Sequence, residues 1–383
     1  MNPLVVGVPR EIKPDEHRVA ITPDGVREVE QHGVPVLIEA GAGSDSGFPD
    51  DDYRRAGAEI VISAAEVWER ADLVCKVKEP LEAEFALLRP GSCLFTYLHL
   101  AAYPDVGDAL LEHDVIGIAY ETVQTASGAL PLLAPMSEVA GRMSAQIGAH
   151  FLERHNGGRG VLLGGAPGVR PARVVVLGAG NVGWNAAWMA AGLEAEVDLL
   201  DRNVDRLRYV DQIQMGRITT LASNRGLIER TVVEADLLIG AVLVPGGRAP
   251  VLVDEALVKS MKPGSVVIDI AIDQGGCIAT SRETTHHDPI YELHGVLHYC
   301  VGNMPGAVPN TSTYALTNVT LPYLAELSRL GVREAVARDP SLALGVNTAG
   351  GSVVNPAVAE ALGRPLADVA MILDATAPTT TDS

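Results

Sequence analysis

Cysteine is scarce. The chain has four in 383 residues, Cys75, Cys93, Cys277 and Cys300, with no C-x-x-C pair and no zinc-type spacing. Three lie in or beside apolar runs, so they are expected as reduced core residues, which excludes a disulfide scaffold or a cysteine metal centre. Aromatic residues are only 4%, and the core must rest on Val, Leu, Ile and Ala. Positive charge is in deficit: 29 Lys and Arg stand against 48 Asp and Glu, a formal charge of -19. That balance repels phosphate backbones and anionic membrane surfaces, which excludes nucleic acid and membrane as partners but leaves small anions open to local Arg and Lys. No apolar run reaches the ~18 residues of a membrane span; Leu237–Val244 is stopped by Pro245. The first apolar strand soon meets Arg10, Glu11 and Lys13, which is no signal-peptide pattern. A soluble, cytoplasmic protein is expected.

What is present is a rhythm. Hydrophobic residues make up 47%, enough for substantial cores, and the length predicts two domains. Leu4–Val8, Val36–Glu39, Leu73–Val77, Cys93–Leu98 and Val115–Ala119 read as buried parallel strands. Helix-length segments alternate with them: Asp24–His32, Asp51–Gly57, Ala64–Arg70, Ala83–Leu88 and Asp105–His113. After a helical stretch, Ser137–Arg154, and a glycine-rich connector, Gly157–Gly168, the alternation restarts. Arg173–Leu177, Glu196–Leu200, Asp236–Gly240, Ser265–Ala271 and Val296–Val301 read as strands, with a helix over Val182–Gly192. A long helix, Ser312–Gly331, carries Pro322 as a possible kink and returns the chain to the first domain. The expected class is α/β: two doubly wound parallel-sheet domains, the second inserted in the first. The Thr-rich end, Thr376–Ser383, is expected to fray.

Gly178-Ala179-Gly180-Asn181-Val182-Gly183 follows a strand and opens a helix. Alone, such a motif is compatible with an ordinary tight turn. Eighteen residues beyond Gly183, however, Asp201 ends the next strand, where a carboxylate can accept from ribose hydroxyls. Gly178 permits the turn, Gly180 the approach of pyrophosphate, and Gly183 close helix–strand packing, while the helix N-terminus offers free N–H groups. This is a Rossmann dinucleotide site. Asp201 would meet a 2′-phosphate with like charge, so NAD is favoured over NADP, although Arg202 beside it is suited to grip such a phosphate. Gly157–Gly168 lacks the G-K-[ST] ending of a P-loop and is expected as a flexible connector or hairpin. The resulting division is 1–131 with 310–383 as a substrate-binding, catalytic domain and 132–309 as the NAD-binding domain.

Open α/β sheets bind ligands beyond the carboxyl ends of their strands, which filters the polar residues. Lys78 and His99 close strands in the first domain, Arg18 lies in the loop after the first strand, and Asp273 follows a strand of the second. Each has a plainer explanation. Arg18 and Lys78 can be solvated surface charges, His99 a hydrogen-bonded core histidine, and Asp273 an Asx-turn or cap. His286-His287 are adjacent, so they do not face one ligand and are expected in a surface loop.

With these residues in hand, the chain resembles the bacterial alanine dehydrogenases over roughly 4–363. The likeness is carried by Glu16-His17-Arg18-Val19-Ala20-Ile21-Thr22-Pro23, Lys76-Val77-Lys78-Glu79-Pro80, Phe95-Thr96-Tyr97-Leu98-His99-Leu100 and Tyr120-Glu121-Thr122-Val123. It continues through Leu133–Gly141, Asp269–Gly276, Asn303-Met304-Pro305 and Thr311–Asn318. The resemblance implies reversible NAD-dependent oxidative deamination of L-alanine to pyruvate and ammonia. It places Arg18 and Lys78 on the substrate and gives His99 and Asp273 the proton transfers. With a reference pKa near 6.5, His99 would both give and take protons near neutrality. Besides the glycine motif, the resemblance puts NAD contacts on Ser137, Asn181, Val182, Asp201, Arg206, Ser223, Val242, Leu243, Ile270, Asp273, Arg282 and Val301-Gly302-Asn303-Met304. It further implies a homohexamer. Some relatives pair a Glu with a His one helical turn on to hold a divalent ion; here Glu326 is followed by Leu330, so no metal is expected. Alternatives are the soluble hydride-transfer subunit of nicotinamide nucleotide transhydrogenase, a dehydrogenase condensing a larger amine with the oxo acid, and a nucleotide sensor without catalysis.

Overall fold

The computed structural model describes residues 4–242 and 249–375. Leu243, the end of the apolar run at Val244, and Thr376–Ser383 lie outside the described residues. The first strands are β1 (Val6–Val8), β2 (Val36–Glu39), β3 (Glu59–Val61), β4 (Leu73–Cys75), β5 (Cys93–Thr96) and β6 (Ile116–Ala119). A second run comprises β7 (Arg173–Leu177), β8 (Glu196–Asp201), β9 (Thr219–Ala222), β10 (Leu237–Gly240), β11 (Val266–Asp269), β12 (Ile290–Leu293) and β13 (Val296–Tyr299). Two short strands, β14 (Val346–Ala349) and β15 (Ser352–Val353), close the series.

The chain divides into two compact units, residues 1–135 with 308–383, and residues 136–307. In the first, the strand order is β15-β14-β6-β5-β4-β1-β2-β3, and in the second β12-β13-β11-β10-β7-β8-β9. Both sheets are doubly wound. The order reverses between β1 and β4 in one unit and between β7 and β10 in the other. Parallel pairing dominates, and its strands are buried on both faces, which is why they read as unbroken apolar runs. Each sheet also ends in antiparallel strands that the expectation of purely parallel sheets omits. Their turns explain them. His294 (φ 56°) and Gly295 (φ 75°) join β12 to β13, and Gly350 (φ 55°) and Gly351 (φ 64°) join β14 to β15, the double left-handed conformation of a tight hairpin.

On one face of each sheet, alternate strand residues pack with helix side chains into a core cluster. Val74, Leu94, Leu98, Leu110 and Ala119 belong to the first unit's cluster, and Val175, Leu177, Leu200, Leu238 and Val267 to the second's. Each large aliphatic so buried stabilises by about 1.5–3 kcal/mol. All four cysteines are buried and free. Helix Pro309–Leu330 runs on through Pro322. The glycine-rich connector ends in a bridge between Ala166 and Val169. Among the described residues no helix is long and apolar enough to cross a membrane.

Candidate active site

The loops that matter leave the carboxyl ends of the strands at the first unit's switch point. After β1, residues 9–22 form one loop, fixed at its far end where Thr22 caps helix Pro23–Glu30 by accepting from the Gly25 amide at 3.2 Å. After β4, residues 76–80 form a second. Glu11 laces the two together: its carboxylate accepts from the Val77 amide at 2.6 Å and the Lys78 amide at 3.4 Å, and pairs with Lys76 Nζ at 3.1 Å. Glu84 takes the same ammonium from the other side at 3.0 Å. Lys13 pairs with Glu79 nearby. Residues 97–99, beyond β5, run alongside: the Tyr97 amide donates to the Val77 carbonyl, and Thr96 Oγ1 to the Lys78 carbonyl at 2.9 Å.

Arg18 is buried, its side chain 2% exposed, and Glu16 grips it through Nε at 2.7 Å and through Nη2. Burial alone would lower the guanidinium pKa; Glu16 outweighs it and keeps Arg18 charged. His99 sits at φ 48°, an uncommon conformation for a residue with a Cβ. Its ring lies parallel to that of Tyr97, centroids 5.6 Å apart, and Tyr97 in turn donates its hydroxyl to the Leu132 carbonyl at 2.6 Å. Lys78, Lys13 and Arg18 all act on the His99 ring. The structure therefore brings together Arg18, Lys78 and His99 from three separate loops.

This crowding changes the expectation for His99. Burial first, then the three cations, push its pKa down to about 3. It is a neutral imidazole at ordinary pH, not a half-protonated one. Beside it, burial raises Glu121 to about 7, although the amides of Glu121, His99 and Leu98 and the charge of Lys78 pull the other way.

The second unit carries the glycine motif at its own switch point, between β7 and β10. Gly178 has φ 102°, and a Cβ there would lie 2.7 Å from the Ala241 carbonyl oxygen. A Cβ on Gly183 would overlap the Gly178 carbonyl. Gly180 differs: its φ is an ordinary -75°, and a Cβ would meet nothing nearer than Arg206 Nη1 at 3.9 Å. The protein itself gives no reason for glycine at 180, so the space left there fits a group arriving from outside, at the start of helix Asn181–Gly192. Asp201 ends β8 and accepts from the Ala179 amide at 2.6 Å and the Asn203 amide at 2.7 Å, which ties the glycine turn to the next strand. Arg206 Nη1 is 3.8 Å from it, and the Ser223 amide donates to its carbonyl. The two glycines make a paired prediction. Gly180→Ala should leave thermal stability within about 0.4–1 kcal/mol of wild type yet weaken NADH binding by about 10- to 100-fold, the cost of overfilling a fitted site by ~1–3 kcal/mol. Gly183→Ala should lower both. Calorimetric titration with NADH and thermal melts separate the two, and unaltered affinity in Gly180→Ala would remove the phosphate-binding role.

The other nominated nucleotide residues are placed as follows. Ser137 lies in helix Ala134–Phe151 and is half-buried, as is Val242 just after β10. Ile270 and Asp273 fall in a 3-10 turn, Ile270–Gln274, and not on the strand, which ends at Asp269. The capping carboxylate is Asp269, which accepts from the Ala271, Cys277 and Ile278 amides and from Ser281. Asp273 itself is exposed. Arg282 stacks its guanidinium 4.1 Å from the Tyr291 ring centroid, and its amide donates to the Tyr291 hydroxyl. Val301 and Met304 are buried, Gly302 is close to Asp273 Oδ1 and Glu283, and Asn303 has φ 58°. The histidine pair is only half a surface loop: His287 is exposed, but His286 is partly buried with Nε2 3.2 Å from the Asn303 carbonyl. Glu326 accepts from Arg329 at 2.9 Å.

Reading for strand-end chemistry passed over Glu11, Glu16, Lys76, Tyr97 and Glu121. The same filter should have caught Glu121, which follows β6 by two residues. Glu16 was signalled only by standing two positions before Arg18.

Comparisons with known proteins place the chain in a family. The family models described as "Alanine dehydrogenase/PNT, N-terminal domain" and "Alanine dehydrogenase/PNT, C-terminal domain" match residues 7–140 and 144–356. An alanine dehydrogenase of Mycolicibacterium smegmatis is 56% identical over 97% of this chain and 100% of its own length. A solved L-alanine dehydrogenase superposes with a TM-score of 0.91 at 52% identity, covering 94% of this chain and 99% of that one. A transhydrogenase from Sinorhizobium meliloti aligns with a TM-score of 0.79 at 26% identity, covering 92% of this chain and 99% of its own. By two family models and by identity above half along nearly its full length, the chain belongs to the alanine dehydrogenase/PNT family and stands nearer its alanine dehydrogenases than its transhydrogenases.

Proposed function

We propose that the chain catalyses the reversible, NAD-dependent oxidative deamination of L-alanine to pyruvate and ammonia. The observation that carries this reading is the set Arg18, Lys78 and His99: two cations beside a neutral imidazole suit a small carboxylate whose neighbouring carbon exchanges protons. Hydride exchange between two nucleotides needs no such site, which weighs against the transhydrogenase reading.

The first unit is the substrate domain. Arg18, oriented by Glu16, and Lys78, held by its backbone to Glu11, take the carboxylate and the carbonyl end of pyruvate. Each charge-assisted bond contributes about 1.5–3 kcal/mol. Lys78 polarises the carbonyl for attack by ammonia. A substrate carboxylate arriving among these cations offsets part of the charge that depresses His99, so binding raises its pKa and readies it to hold a proton. In deamination the neutral ring accepts a proton from the attacking water; in amination it returns one as water leaves the carbinolamine. Asp273 is the carboxylate that steadies the positive iminium.

The second unit is the nucleotide domain. Gly178, Gly180, Gly183 and the amides of Asn181 and Val182 would hold the pyrophosphate, and Asp201 the ribose, with Ser137, Arg206, Ser223, Val242, Ile270, Arg282 and Val301–Met304 around them. Bound NAD supplies the hydride acceptor at its nicotinamide ring. Asp201 disfavours a 2′-phosphate, hence NAD over NADP. A homohexamer, a cytoplasmic setting and a catabolic role for L-alanine belong to the same reading.

The test is NADH consumption with pyruvate, with and without ammonium, and with NADPH in parallel. Ammonium-dependent NADH loss that yields alanine is expected. NADH binding without turnover would return the chain to the transhydrogenase or sensor readings, and turnover with an amino acid in place of ammonium would make it a condensing dehydrogenase.

A further inference from the structure

The left-handed turn at His99 has its own anchor. Glu121, just beyond β6, is 15% exposed at its side chain. Its carboxylate accepts from the Leu98 amide at 3.2 and 3.3 Å and from the His99 amide at 2.6 Å. Two successive amides converging on one anion form a backbone nest, and a left-handed residue is what such a nest requires. His99, at φ 48°, supplies it. A residue held in that region costs of order 1–3 kcal/mol and persists only where its surroundings enforce it. The Glu121 carboxylate is the group in contact that does so.

We propose that Glu121 is the positioning residue for His99: its partly buried carboxylate fills the nest at Leu98 and His99 and so fixes the imidazole against Tyr97 and the substrate cations. This rests on the reading of His99 as the proton-transfer residue. Glu121 Oε1 also lies 3.9 Å from His99 Nδ1, within electrostatic reach of the ring it positions. The titratable groups acting on Glu121 are Lys78 from the loop after β4, and Tyr97 and His99 from the loop after β5. Because Glu121 is raised to about 7, the anion that the nest needs is complete only above neutrality. Turnover then rises through about pH 7 as Glu121 ionises.

The experiment compares Glu121→Gln with wild type for kcat, for the KM of NADH and pyruvate, and for the pH profile of kcat, with His99→Asn run beside it. The amide is isosteric but uncharged. It is expected to lower kcat by about 10- to 100-fold, the usual consequence of a slightly misplaced catalytic group, to leave the KM for NADH unchanged, and to abolish the acid limb near pH 7. Wild-type kcat in Glu121→Gln, or an unchanged acid limb, overturns the proposal. Should the Gln variant melt early, Glu121→Asp replaces it: the charge is kept but drawn back from the nest, so kcat falls while the limb persists, and wild-type kcat there overturns the proposal too. High turnover in His99→Asn sinks the reading of His99 itself, and it is distinguishable because it leaves any Glu121 effect without its target.

Discussion

His99→Ala should lower kcat by about 100- to 10,000-fold, the contribution of a positioned general acid–base, while leaving NADH binding at its wild-type strength. The separation follows from the division of labour. The glycine turn, Asp201 and Arg206 belong to the unit of residues 136–307, whereas His99 belongs to the other. The ring itself stacks on Tyr97, while the firmest attachment of the residue runs through its backbone amide to Glu121. One confounder is the left-handed turn, which alanine tolerates poorly. His99→Asn controls for it, because asparagine visits that region readily and cannot transfer the proton. Both variants should melt close to wild type, bind NADH normally in calorimetry, and lose turnover together. If the Asn variant keeps near-normal kcat, the loss in the Ala variant is a backbone effect and the proton passes elsewhere.

Much of this was legible in the residues. The parallel strands announce themselves because burial on both faces leaves no polar alternation, and the glycine turn because Gly178 and Gly183 have no room for a side chain. Arg18, Lys78 and His99 could be nominated because loops at a switch point must converge. What stayed hidden depends on partners distant in sequence. Glu121 meets His99 across 22 residues and Glu11 meets Lys76 across 65, and neither pairing has a local signature. The depressed pKa of His99 was likewise invisible, since it is set by burial first and then by three cations from two other loops. Gly350-Gly351 was a readable hairpin signal that went unread, and His294-Gly295 carried a weaker one, with histidine where asparagine or aspartate is usual.

The second large effect is expected on stability, at Lys76. This ammonium is fully buried between Glu11 and Glu84, each carboxylate only 4% exposed. Burial alone would lower its pKa, but the two carboxylates outweigh burial and hold it charged. Burial raises Glu11 against the pull of Lys76. Lys76→Met fills much of the same volume and leaves two carboxylates buried without their cation, a change that costs about 3–5 kcal/mol. For a unit of this size that corresponds to a fall of about 6–20 °C in Tm. The pH dependence has a definite sign. With the cation gone, Glu11 loses the charge that opposes burial and moves further above its unfolded value, so the folded state binds more protons than the unfolded one. The favourable contribution of Glu11 is then complete below about pH 4.5 and is lost as pH rises through its folded pKa. The deficit of Lys76→Met against wild type should therefore be small in acid and widen toward neutral pH. Adding Glu11→Gln and Glu84→Gln should recover part of it, since neutral amides carry no charge to desolvate. Turnover should not recover in step, because Glu11 also fixes the amides of Val77 and Lys78, the lysine proposed to hold the substrate. Thermal melts of the single and triple variants across pH decide the matter; a deficit that shrinks as pH rises would show that Lys76 is not the cation holding this buried cluster together.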